Sequence, residues 1–167
     1  MVYFEYVMPR FVHLHVHSHY SLLDGLPTID AMVAHAKELG MDALALTDHS
    51  NLYGAVEFYK KAKKAGVKPI LGVEAYIDLG GANPTSRGEK YYHLILLAKD
   101  NTGWKNLLRL VTDAHLTNFY YKPRIKKEWL AERHEGLIAL SGCLAGEVQR
   151  QLHAGNYETA KRTALEY

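Results

Sequence analysis

Strand-like and helix-like runs alternate along this chain, and that alternation restricts its fold more than any other feature. "RFVHLHV" reads as a strand, and "TIDAMVAHAKELG" as a helix capped by Thr28 and closed by Gly40. "DALALTD" is the next strand. "GAVEFYKKAKKAG" follows as an amphipathic helix with Ala55, Phe58, Tyr59 and Ala62 on one stripe. "VKPILGVEAYI" is a third strand with Pro69 near its start, and "DLGGANPTSRGEK" a loop. "YYHLILLAK" reads as a fourth strand, "WKNLLRLVTDAHL" as a helix, "FYYKPRI" as a connector, "KKEWLAERHE" as a short helix and "GLIALSG" as a fifth strand. Two further helical stretches complete the pattern. Strands alternating with helices predict parallel βαβ units. Five units are too few for an eight-stranded barrel, so the chain is an open α/β layer or the first part of a barrel. "NYETAKRTALEY" reads as mid-helix and favours the second.

Composition adds mainly exclusions. The 167 residues, 48% hydrophobic and 23% charged, suit one globular core. A net charge of +2 does not by itself demand a polyanionic partner. The single Cys143 rules out an internal disulfide framework and fits a reducing compartment. No apolar run reaches the roughly 18 residues of a membrane span, and the opening "MVYFEYVMPRF" has no signal-peptide pattern.

In parallel α/β folds chemistry gathers at the C-terminal ends of the strands. In "FVHLHVHSHYS" the imidazoles of His13, His15, His17 and His19 recur at every second position, so a strand would turn all four to one face. Asp24 follows in "SLLDG", and Asp48 and His49 follow the second strand in "TDHS". Glu74 interrupts an apolar strand, and Cys143 follows the fifth in "SGC". His93 sits near the start of its strand and fits this scheme less well. Each of these side chains is a metal-ligand type, and together they suit zinc or a similar ion. Plainer roles stand beside these: Asp48 as a helix cap, Cys143 as a structural thiol, and His13 and His19 as surface groups. His35, His115, His134 and His153 fall on expected helices, where solvated surface is the default.

"HLHVHSHYSLLDG" and "ALTDHSNLYGAVEFYKKAKKAGVKPILGVEAYI" resemble the first three motifs of the polymerase-and-histidinol-phosphatase (PHP) superfamily. The run from "FVHLHVHS" through "LIALSGCLAGEV", roughly residues 10 to 150, looks like the N-terminal domain of bacterial DNA polymerase III alpha subunits. The resemblance implies a distorted (β/α)7 TIM-like barrel of PHP type with up to three metals held by nine residues. Its metal ligands here would be His15, His17, Asp24, His49, Glu74, His93 and Cys143. The two remaining ligands, an Asp and a His, have no match before Tyr167, so residues 1–167 are expected to be the N-terminal part of one C-terminally truncated PHP domain, with the polymerase domains absent.

The implied activity is metal-dependent phosphoester hydrolysis, a 3′–5′ exonuclease, with Asp48 and Glu74 as catalytic residues. Glu74 would bridge metals and Asp48 would orient His49 or a water. The cofactor would be Zn2+, with Mn2+ or Mg2+ as alternatives. The partners would be primer-template DNA, the rest of the polymerase III alpha subunit and replisome subunits, in the cytoplasm and away from membranes. Lys122 and Arg124, beside Tyr120 and Tyr121, would contact the nucleic acid, the plain alternative being a solvated connector. A rival reading is a non-catalytic, metal-stabilised platform. A histidinol-phosphate-type phosphatase is opposed by "FYYKPRI" and "LSGCLAGEV".

Overall fold

The computed structural model describes residues 11–22, 24–78, 80 and 91–167. Two sequence readings, on the opening residues and on most of the 78–90 loop, therefore lie outside the described residues. The elements run α1 (Ile29–Glu38), β1 (Ala43–Leu46), α2 (Ala55–Ala65), β2 (Lys68–Asp78), β3 (Tyr91–Ala98), α3 (Asn101–Thr117), β4 (Phe119–Tyr120), β5 (Lys122–Ile125), α4 (Lys127–Glu132), β6 (Leu137–Leu140), α5 (Glu147–His153) and α6 (Tyr157–Glu166). Thr28 caps α1 by accepting from the Ala31 amide, as its position before an apolar-periodic run predicts. Asp100 caps α3 in the same way through the Gly103 amide.

The result is a mixed α/β fold built on one six-stranded sheet. β2 is its spine. β1 runs parallel to the first part of β2, and β5 runs parallel to its last part. β3 takes the other edge, antiparallel, with Glu74 opposite Ile95 and Tyr76 opposite His93, and β6 pairs antiparallel with β3. The two-residue period of a strand divides β2 cleanly. Val73, Ala75 and Ile77 join Leu107, Leu110 and Ala114 of α3 in the main core, while Glu74 and Tyr76 turn to the opposite face. A second core packs α1 and α2 on β1 through Ile29, Val33, Leu44, Phe58 and Ala62.

Three expectations need correction. The reversed β3 breaks the purely parallel scheme, since a strand following a loop rather than a helix can pair antiparallel. "FYYKPRI" is not a plain connector but the short antiparallel pair β4–β5. The described part of "RFVHLHV", residues 11–16, is not a regular strand. It lies beside β1, with the Ala45 amide donating to the His13 carbonyl and the Thr47 amide to the Val16 carbonyl. Three residue steps on one side therefore oppose two on the other, and the Thr47 hydroxyl takes the Val16 amide. This slip ends the strict alternation expected for the four histidines.

Replacing Leu107, fully buried in α3, with Ala should cost about 2–5 kcal/mol through reduced burial and the cavity left behind. Urea unfolding measures this, with the midpoint falling while the slope stays unchanged.

Candidate metal centre

Parallel pairing brings the ends of β1 and β2 to the same side of the sheet. "TDHS" leaves β1 there, and His49 makes an isolated parallel bridge to Glu74. Glu74 is 2% exposed, and imidazoles surround its carboxylate. Its Oε2 lies 3.1 Å from His15 Nε2, 2.9 Å from His17 Nε2 and 3.2 Å from His49 Nδ1. Its Oε1 lies 2.7 Å from His93 Nδ1. The reversed β3 explains why His93 belongs here: the start of an antiparallel strand meets the end of its neighbour. Asp24 closes the outer side, with Oδ2 2.9 Å from His49 Nε2.

Asp48 has a different place from the one expected of it. Its carboxylate is buried and accepts from the Ser18 amide (2.6 Å), the Ser18 hydroxyl (2.8 Å) and the Ser21 hydroxyl (2.9 Å). It therefore anchors the 18–21 turn to the end of β1. Ser21 has a single hydroxyl proton, and an ionised Asp48 can only accept it. Ser21 Oγ must then accept from its two other neighbours, the His49 amide at 3.0 Å and His17 Nδ1 at 2.9 Å. Neutral His17 is thereby fixed with its proton on Nδ1, and its Nε2, 2.9 Å from both His15 Nε2 and Glu74 Oε2, is open to accept from His15. His49 repeats the pattern. Its Nε2 donates to Asp24, and its buried Nδ1 finds no hydrogen-bond partner although Glu74 Oε2 is near.

The His49 Nδ1 lone pair, buried without a hydrogen-bond partner 3.2 Å from Glu74 Oε2, is repelled by that carboxylate unless a proton or a cation lies between them. The nitrogen and oxygen donors suit a divalent ion. Three sets of potential ligand atoms converge, each within 4.8 Å: His15, His17 and Glu74; His17, Asp24 and His49; and His49, Glu74 and His93. The proton balance agrees. Burial alone would lower the His17 pKa, but contact with Glu74 and the charges of Glu74, Asp24 and Asp48 raise it above 6.5. Burial lowers that of His49, only partly offset by Glu74. Burial would raise the Glu74 carboxyl, yet hydrogen bonds from His15, His17 and His93 hold it far below the usual range.

Six of the seven expected ligands thus stand in converging sets. Cys143 stands at the margin, with Sγ 3.5 Å from His93 Nδ1 and 3.9 Å from Glu74 Oε1. Gly142, at φ +78°, makes the turn that presents it. His13 and His19 do not reach the cluster; their rings lie against Phe11 and Tyr20. His115 is not a surface group as expected: its Nε2 donates to the carbonyl of Ser50, which adopts a left-handed φ of 47° just after His49. Sequence reasoning misses Ser18, Ser21 and Tyr76. Tyr76 is recoverable as the residue two beyond Glu74 on the same face. The serines carry no signal apart from standing between the histidines and Asp24.

A family model, the PHP domain, matches residues 13–167. The chain belongs to the PHP family. It is 50% identical over 159 residues to DNA polymerase III subunit alpha of Borreliella burgdorferi, covering 93% of this chain and 14% of that protein. It is 52% identical over 145 residues to the same subunit of Thermus aquaticus, covering 83% of this chain and 12% of that protein. The chain therefore spans only a small part of the curated relatives it matches. Among solved structures, it is similar to a protein of Bifidobacterium adolescentis named as a candidate metal-dependent phosphoesterase, at 20% identity and a TM-score of 0.43, over 92% of this chain and 54% of that one. Among the described residues no helix is long and apolar enough to cross a membrane.

Protonated His17 carries a second proton on Nε2, toward Glu74, and a cation entering the cluster must displace it. Since that proton is held above pH 6.5, zinc affinity should begin to fall while the solution is still near neutral and fall further toward pH 5.5. Titration calorimetry at pH 8, 6.5 and 5.5 checks this; equal affinities would contradict it. Ser21→Ala frees the His17 tautomer and should weaken zinc binding about 10–100-fold, as removing the hydrogen-bond partner of a metal ligand does. The same calorimetry at pH 8 measures it.

Proposed function

We propose that this chain is the N-terminal part of the PHP domain of a bacterial replicative DNA polymerase alpha subunit, and that its Glu74-centred cluster is a metal-dependent phosphoesterase, trimming the 3′ end of a primer. The observation that carries this reading is the convergence of three ligand sets around the buried Glu74 carboxylate, with the partnerless His49 Nδ1 held 3.2 Å from it. Up to three divalent ions would be held by His15, His17, Asp24, His49, Glu74, His93 and Cys143. Zinc suits the imidazole-rich set, with manganese or magnesium as alternatives. A bound ion supplies Lewis acidity and a water acidified toward a pKa of ~7. Glu74 bridges between ligand sets, keeping its charge because the surrounding imidazoles stabilise it. Asp48 acts through Ser21, holding the ring of His17 in one tautomer. The two remaining ligands of the family pattern come from beyond these residues, and the domain completes a (β/α)7 barrel there.

The similarity to polymerase subunits supports primer-template DNA, the remainder of the alpha subunit and other replisome subunits as partners, in the cytoplasm. A metal-stabilised platform without hydrolysis is the rival. Elemental mass spectrometry should find two or three zinc or manganese ions per wild-type chain and fewer in His15→Ala/His17→Ala. The metal-loaded protein should shorten a labelled primer from its 3′ end at least tenfold faster than the double variant. Metal retained with no primer shortening favours the platform.

A further inference from the structure

Beyond Glu74 the edge of β2 is occupied by β5, which pairs Arg124 with Tyr76. The β4–β5 hairpin therefore begins where the metal-ligand cluster ends. Tyr76 joins the two. Its ring stacks on His49, with centroids 5.7 Å apart and planes at 13°, and lies 5.2 Å from His93. The exposed Lys122 holds its Nζ 5.5 Å above that same ring, and no carboxylate pairs with it among the described residues. Lys122 and Arg124, two apart on one strand, share the face that carries Glu74 and Tyr76.

Arg124 is unusual in a second way. Its side chain is nine-tenths buried, its Nε finds no hydrogen-bond partner, and the nearest carboxylate oxygen, on Asp78, lies 3.8 Å from Nη1. A guanidinium so far from water is costly unless it is fully paired, and here it is not. Its guanidinium lies 5.7 Å from the Tyr120 ring. Tyr120 and Tyr121 meet edge to face at 4.7 Å, and Tyr121, at φ 57° on the hairpin turn, is 83% exposed. Rings left open to water beside underpaired cations match the stacking faces and charged track that hold unpaired nucleic-acid strands.

We propose that the hairpin of residues 119–125 is a single-strand track that delivers a polynucleotide to the cluster. Lys122 takes the phosphate nearest the reacting ester, Tyr120 and Tyr121 stack the bases, and the buried Arg124 adds positive charge beside Tyr120. The substrate class is then an unpaired strand several nucleotides long, in preference to a free phosphate monoester. This rests on the reading of the cluster as a phosphoesterase.

The test is fluorescence anisotropy of a fluorescein-labelled oligothymidylate, in EDTA so that no strand is consumed. Lys122→Glu should weaken binding at least tenfold and flatten the salt dependence, by about 0.7 in log–log slope for each phosphate no longer neutralised. Tyr121→Ala should weaken binding about tenfold with the slope unchanged. Lys64→Glu, on the exposed last turn of α2, should bind as wild type does. Failure of the wild type to bind, equal binding by Lys122→Glu, or an equal weakening in Lys64→Glu overturns the track. A parallel assay of the metal-loaded protein with thymidine 5′-p-nitrophenyl phosphate separates the two readings. Ester turnover with hairpin-independent strand binding sinks the track and keeps the phosphoesterase; strand binding through Lys122 with no turnover of either ester or primer does the reverse.

Discussion

A single carboxylate, removed from water, organises this molecule. Glu74 sits in the longest strand among otherwise apolar neighbours, and a lone ionised side chain at that depth would be strongly unfavourable. Its charge persists because nitrogens from four histidines surround it. Those histidines come from the segment before α1, from the β1–α2 junction and from β3. The sheet can therefore keep Glu74 charged only where these segments dock and bring their imidazoles to it.

The anchoring of the first segment shows the same dependence at one remove. Residues 13–21 make few regular ladder bonds to β1. They are held by side chains instead: the Thr47 hydroxyl at Val16, and the Asp48 carboxylate at Ser18 and Ser21. Gly25 completes the turn, because a Cβ there would collide with the Ser18 carbonyl. "TDHS" thus has a double task, with Thr47 and Asp48 fastening the histidine segment and His49 facing the carboxylate.

Much of this is legible in the residues alone. The caps, helices and strand cores follow from residue type and period: Thr28 before α1, Gly66 after α2, and the alternation of Val73, Ala75 and Ile77 with Glu74 and Tyr76. The ligand residues are legible because polar side chains have no reason to interrupt apolar strands. What escapes depends on pairing, which no local pattern encodes. The reversal of β3 moves His93 from an awkward position into the cluster. The slip beside β1 lets His15 and His17 reach Glu74 while His13 stays outside. The role of Asp48 depends on which hydroxyls surround it, and its place in the chain suggests only a cap or a link to its neighbour His49.

The groups facing Glu74 span the chain from His15 to Cys143, and neighbours in the cluster are often strangers in sequence. An unfolded chain offers no comparable site. Any cation that prefers the cluster therefore binds the folded state selectively, and its affinity becomes a measure of the folding equilibrium of the whole sheet. A ligand at 100 times its dissociation constant would add about 2.7 kcal/mol to that equilibrium. A core substitution far from the cluster, in α3 or α1, that left an appreciable part of the chain unfolded would then register as an apparent loss of metal affinity without touching a ligand.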